Sequence, residues 1–385
     1  MIPLSVPDIS GNEKKYIQEC LDTGWVSSAG SYVTKFEDMV KDYVGAKHAV
    51  AVSSGTAALH LSLIVAGVTS TDEIIVPTLT FIAPVNAVRY CQADPVFMDC
   101  DATTLGMDME KLFIFLTTQC IQKKDGFTYN KTTGKRIKAV IPVHIFGHPV
   151  DVDRLKEICQ QFNIVMIEDA SESIGSEYKG RKTGAFGDIG CFSFNGNKII
   201  TTGGGGMIVT NNDVFAKRLR HLSTQAKCDD LEYDHDEVGY NYRLTNLQAA
   251  MGVGQMERLA DYIDIKRQNA QKYRDLFFEQ EGIEFLWEQP WSKSNFWFYT
   301  IRVQKEVKNE LLRHLIQQGI QARPIWKLIH SLPMYKQYQN FCIEKAEEIY
   351  CSGINIPCSV GLSEEDIGFV VNNIRKFHSK KLMLI

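Results

Sequence analysis

The chain carries almost no excess of either charge: 42 Lys and Arg stand against 46 Asp and Glu, a net of −4 over 385 residues. No global field therefore exists to hold a nucleic acid or an anionic membrane, and an anionic ligand needs a local site. The ten cysteines are scattered singly from Cys20 to Cys358 and contain no CxxC pair or metal-ligand spacing, so they read as reduced core residues, and no metal is expected. No uninterrupted apolar run approaches membrane-spanning length, and residues 1–5 lack a charged segment followed by an apolar one, which points to a cytoplasmic protein. Repeats and low-complexity tracts are missing too. What remains is a soluble, globular balance of 44% apolar, 23% charged and 10% aromatic residues, with length for one large and one smaller domain.

From residue 49 onward, short β-branched runs alternate with helical stretches, the pattern of an α/β unit built on a mainly parallel sheet. The runs lie at 49–52, 74–76, 95–98, 139–143, 164–167, 190–194 and 207–209, and apolar residues recur at helical spacing over 56–66 and 152–161. The polar stretch 123–136 (KKDGFTYNKTTGKR) reads as an inserted surface hairpin. Near residue 250 the alternation ends. The spacing predicts one long helix over 248–269, then strands at 282–285, 297–303 and 320–322 and helices over 305–318 and 363–377. We expect a large domain over 1–250 and a smaller α+β domain over 251–385.

Three features in the first part carry chemistry. The strand at 49–52 runs through Ser53, Ser54, Gly55 and Thr56 into a helix, whose exposed amides and hydroxyls make a phosphate cradle; a simple N-cap is the structural alternative. The run at 164–167 ends in Glu168, Asp169, Ala170, Ser171 and Glu172, placing acids at the carboxyl end of a parallel strand, where open α/β sheets bind ligands. Pattern alone does not choose between Glu168 and Asp169, and solvated or capping acids are the alternative. The run at 190–194 empties into Asn195, Gly196, Asn197 and Lys198, followed by glycines at 203–206. A lysine among apolar and small residues is easier to deprotonate than one reaching into solvent, and a neutral amine condenses with an aldehyde. Cradle, acid and lysine together match what pyridoxal 5'-phosphate (PLP) requires.

The segments SSGTAALHLSL, VPTLTFIAPVNAV, DPVFMDCD, IPVHIFGHPVDVD, IEDASESIGS, FSFNGNKIITTGGGGMIVT and GYNYRLTNLQAAMG resemble the DegT/DnrJ/EryC1/StrS sugar aminotransferases, within fold type I of the PLP enzymes. The likeness covers nearly the whole chain. It implies that Lys198 joins the cofactor aldehyde, Asp169 pairs with the ring nitrogen, and Glu172 lies near the phenolic oxygen. Gly55, Thr56 and Ser193 would hold the phosphate, with Asn241 from the neighbouring subunit of a homodimer. Phe81 and Ser171 would face the two sides of the ring, and Arg243, Arg323 and His330 would contact substrate. Read from the residues alone, Phe81 also suits core packing, Asn241 and Arg243 the approach to a helix cap, and Arg323 and His330 an ordinary turn. His144 and His148 do not share a helix face and are assigned no metal.

Asn195 stands where many members carry His, and Gly204 where many carry Glu. Members that dehydrate sugars replace the lysine with His, so Lys198 favours transamination. NGNK with TTGGGG, the polar insert and TGWVSSAG resemble the branch that aminates UDP-linked 4-keto-6-deoxy-N-acetylhexosamines on routes to bacillosamine or legionaminic acid. The resemblance implies L-glutamate as donor and a nucleotide-linked keto sugar as acceptor, with the cofactor passing through its pyridoxamine form (PMP). The alternatives are a GDP- or dTDP-linked 4-keto or 3-keto sugar of perosamine type, a PLP lyase, and a non-catalytic protein on the same fold.

Overall fold

The computed structural model describes residues 1–229, 231–278 and 280–382. A mainly parallel sheet runs in the order His48–Val52, Gly206–Thr210, Ile189–Ser193, Val165–Asp169, Arg136–Val140, Asp72–Pro77, Asp94–Met98 and Asn340–Phe341. Gly206–Thr210 runs antiparallel to both of its neighbours, and from Ile189–Ser193 outward the path is parallel. These strands are buried on both faces, which is why they read as continuous β-branched runs rather than alternating ones.

Strand periodicity sorts the side chains between two cores. Ile74, Val76, Ile167, Ile189 and Cys191 pack with the helix Gly55–Val65, while Ile75, Met166 and Val140 pack with the helices Met109–Thr118 and Val152–Phe162. Gly55–Val65 is apolar on nearly all sides because it lies across Ile189–Ser193 and Gly206–Thr210 beneath further helices.

A four-stranded antiparallel sheet is ordered Ile283–Phe285, Tyr299–Val303, Gly353–Ile356 and Arg323–Pro324, with the helices Leu259–Phe277, Lys305–Gln317 and Glu364–Leu382 beside it. The insert is a hairpin: Cys120–Gln122 pairs antiparallel with Thr128–Asn130, which reaches Arg136.

Two expectations are corrected. The single helix over 248–269 is two helices, Asn246–Met256 and Leu259–Phe277, divided at Glu257 and Arg258. The first is buried on several sides and lets Gly252 and Gly254 approach Phe36 and Glu13, whereas the second is amphipathic; an apolar period that continues through the break hides it. The strand expected at 320–322 falls at Arg323–Pro324 instead, because Ile320 bridges Ile2 before the chain reaches Gly353–Ile356.

Candidate active site

Strand parity assembles the site. Ile167 and Asp169 share the sheet face covered by Gly55–Val65, as do Ile189, Cys191 and Ser193 on the neighbouring strand, where Cys191 lies opposite Asp169. Asp169 and Ser193 therefore emerge beside the helix start at Gly55. They open into a cavity of about 840 Å³ whose lining includes Thr56, Phe81, Ser171, Glu172 and Lys198.

The same parity turns Glu168 away. Its carboxylate accepts hydrogen bonds from the backbone N–H of Gly184 (2.9 Å), Phe186 (2.6 Å) and Gly187 (2.6 Å) and pairs with His144 Nε2 at 3.0 Å. His144 and Glu168 are fully buried, and His144 Nδ1 accepts from the Val150 N–H at 3.3 Å. Asp169 faces the cavity. Its Oδ1 accepts the Ser171 N–H at 3.0 Å, and burial raises its carboxyl above the usual range, opposed by Ser171 and Lys198. Of the two acids the sequence left open, Asp169 is the one that faces the cavity, while Glu168 is satisfied inside the protein.

The helix start is a cradle. Ser54 caps it, accepting the Ala57 N–H at 3.0 Å, and no acid lies in the first turn. A Cβ on Gly55 would stand 2.7 Å from Ser193 Cβ and 3.2 Å from Ser171 Oγ, so only glycine lets these hydroxyls approach the helix amides. Gly206 brings the next strand up from behind: a Cβ there would meet Ser54 C and O at 2.5 Å and Gly55 N at 2.8 Å.

Lys198 follows the turn closed by its own N–H to Asn195 O at 3.0 Å, and its side chain is 12% exposed. Nζ lies 3.8 Å from Glu172 Oε1 and 3.6 Å from the centre of the Trp297 ring. Burial lowers the Lys198 ammonium against the opposing pull of Glu172 and Asp169. Burial also raises Glu172, whose Oε2 accepts the Phe146 N–H at 2.7 Å.

The mouth of the cavity is aromatic and cationic. Phe81, 53% exposed, has its ring 5.9 Å from that of Trp326, and Trp326 lies 4.9 Å from Phe146. Arg323 and Lys327 also line it, and among the described residues neither makes an ion pair. Asn241, Arg243 and His330 do not line it. Asn241 is exposed and bridges Thr224, Arg243 bridges Val52, and His330 Nδ1 is tied to Thr78 Oγ1 at 2.6 Å. The insert 123–136 and the segment 23–30 also contribute no lining residue, whereas Asn195 and Gly204 do. His148 faces Phe296 edge-on, with both ring nitrogens lacking a partner among the described residues. Trp297, Trp326, Lys327 and Asn355 line the cavity without having been singled out from sequence; the run Phe296, Trp297, Phe298 and the Trp beside Arg323 were the available signals.

A helix-start cradle, a buried carboxylate and a desolvated lysine on one floor make a site of the PLP-dependent type, and the chain belongs to the DegT/DnrJ/EryC1/StrS aminotransferase family, whose model matches residues 7–375. It is similar over its length to two GDP-perosamine synthases. That of Escherichia coli O157:H7 is 39% identical over 382 residues, 99% of each chain, and that of Caulobacter vibrioides is 37% identical over 380 residues, 96% of each. Among solved structures, Helicobacter pylori PseC, an aminotransferase involved in pseudoaminic acid biosynthesis, superposes with a TM-score of 0.88 at 25% identity, covering 98% of this chain and 99% of its own. The protein is a PLP-dependent sugar aminotransferase. Among the described residues no helix is long and apolar enough to cross a membrane.

Proposed function

We propose that the enzyme transfers the amino group of L-glutamate to the C4 ketone of a GDP-linked 4-keto-6-deoxyhexose, giving a perosamine-type sugar nucleotide. The observation that carries this reading is the full-length similarity to GDP-perosamine synthases, 39% identical in the Escherichia coli protein. It favours a GDP-linked acceptor over the UDP-linked N-acetylhexosamine; of the segments that spoke for that branch, the insert and residues 23–30 lie outside the cavity lining, while Asn195 and Gly204 line it.

Bound on this floor, pyridoxal phosphate supplies a carbonyl carbon for amines to join and an electron-withdrawing ring. Gly55, Thr56 and Ser193 would present amides and hydroxyls to its phosphate at the positive end of a helix. Asp169, with one oxygen held by the Ser171 N–H, would keep the ring nitrogen protonated. Glu172 would serve the phenolic oxygen, and Phe81 and Ser171, which line the same cavity, would face the ring. Lys198 carries the cofactor and moves protons at Nζ: burial favours the neutral amine that accepts one, while Glu172 and the Trp297 face favour the ammonium that carries it. Arg323 and Lys327 at the mouth meet the diphosphate. Asn241, exposed and off its own cavity, completes the phosphate site of a second copy in a homodimer.

The test is the visible spectrum of the cofactor-loaded protein as amino sugar nucleotides are added singly without 2-oxoglutarate. A GDP-linked 4-amino-6-deoxyhexose should bleach the aldehyde band to that of the pyridoxamine form. Bleaching by a UDP-linked N-acetyl sugar alone would return the acceptor to the other branch.

A further inference from the structure

Trp297 is 3% exposed and is gripped from several directions. Its Nε1–H donates to Asn197 O at 2.7 Å, so the indole is pinned to the residue immediately before Lys198. Its backbone N–H donates to Asn295 Oδ1 at 2.9 Å, and Asn295 Nδ2 donates in turn to Glu172 O at 3.0 Å and Ile174 O at 2.9 Å. One buried amide therefore spans the two groups that contact Lys198 Nζ, the Trp297 ring at 3.6 Å and the Glu172 carboxylate at 3.8 Å. Packing against Phe146 and Trp326 would need none of this alignment with a cation.

A lysine that shuttles protons must be held in two charge states. The cavity wall desolvates the amine, which favours the neutral state; without a compensating contact the charged state would swing toward the open mouth. The face of an indole attracts an ammonium without offering it a site to deposit its proton, unlike a second carboxylate.

We propose that Trp297 is a positioning residue: its indole face, together with the Glu172 carboxylate, forms the seat that receives Lys198 Nζ as an ammonium whenever the amine has taken up a proton. The inference rests on the reading of Lys198 as the lysine that carries the cofactor. Trp297 touches the amine and transfers nothing itself. Its effect is on where the ammonium rests and how readily it forms.

The experiment uses cofactor-free, full-length protein and the variants Trp297→Phe and Trp297→Leu. Lys198 is acetylated competitively with acetic anhydride over a pH series, and the labelled fraction of its peptide, read by mass spectrometry, gives a titration midpoint. Loss of the aromatic face in Trp297→Leu should lower that midpoint by roughly half a unit to one unit, and Trp297→Phe, with a weaker face, by about half as much. An unchanged midpoint in both variants overturns the proposal. Equal falls in the two assign the effect to the lost bond to Asn197 and overturn the ring-face seat as well. Should Trp297→Leu fail to fold, Trp297→Met takes its place, since it too removes both the ring face and the bond to Asn197. In the cofactor-loaded protein, Trp297→Phe should lower kcat and leave KM for the sugar nucleotide in place. Borohydride trapping of the cofactor followed by peptide mapping separately tests whether Lys198 carries it. Trapping elsewhere sinks the functional reading, whatever the titration shows.

Discussion

A buried carboxylate must be matched by donors or stay protonated. Glu168 is matched by three backbone amides and His144, so Glu168→Gln sets an amide NH2 against backbone donors and should cost roughly 3 kcal/mol of folding stability. Chemical denaturation measures this, and cofactor affinity per folded molecule should be unaltered. Asp169 behaves in the opposite sense. Its folded-state pKa is raised by burial, so the native chain binds more protons than the unfolded one, and the stability this group contributes at acid pH is lost as the pH climbs through the folded value. Asp169→Asn should therefore raise the Tm of the cofactor-free protein at neutral pH, lose that advantage as the pH falls toward the ordinary aspartate value of 3.8, and gain less from added cofactor than the parent. Scanning fluorimetry with and without pyridoxal phosphate reads all three. His148 is a third case, its ring nitrogens unmatched among the described residues and its pKa pushed down to about 3 by burial. The folded chain holds fewer protons here than the unfolded one, so stability falls as the pH drops below 6.5. His148→Met should stabilise by about 1 kcal/mol at neutral pH, and by more as the solution is acidified, in urea titrations at several pH values.

At the scale of elements, the helix Gly55–Val65 works only because Gly206–Thr210 starts hard against its first residue. Gly206→Ala forces a methyl to within 2.5 Å of the Ser54 backbone and should push that helix start away from Ser193. The expected result is a loss of roughly 1–3 kcal/mol in folding, with weaker binding of pyridoxal 5'-phosphate than of phosphate-free pyridoxal relative to the parent, measured by absorbance titration. The parallel strands are legible in the sequence because burial on both faces turns them into β-branched runs, and the motifs flanking Gly55, Asp169 and Lys198 are legible because each is continuous in the chain. The break at Glu257 is not, since its neighbours on both sides are apolar at helical spacing. The strand at Arg323–Pro324 is not either, because its position is set by pairing with Asn355 and Ile354 rather than by its own residues.

At the scale of the molecule, Trp297, Arg323, Trp326 and Asn355 reach the cavity from the four-stranded sheet or its connections, far along the chain from the lysine they surround. Sequence patterns carry no distance information, so Trp297, Trp326 and Asn355 do not stand out as a site, and Arg323 enters only through the family resemblance. Asn241 poses the complementary question, since it belongs to a site only if two copies meet. Mixing inactive Lys198→Ala with inactive Asn241→Ala under subunit exchange should restore a substantial part of the activity, because one pocket of the mixed dimer then escapes both changes; assay after mixing checks it, and an unrestored mixture removes Asn241 from a shared pocket. The strand order bears on how the chain is born. His48–Val52 leaves the ribosome well before its partner in the sheet, Gly206–Thr210, and the outer edge at Asp94–Met98 waits for Asn340–Phe341. Through most of translation the nascent sheet has two open borders, each able to recruit a stray strand, so its yield in the cell should depend on trigger-factor-like holding of the emerging polypeptide more than its final stability would imply.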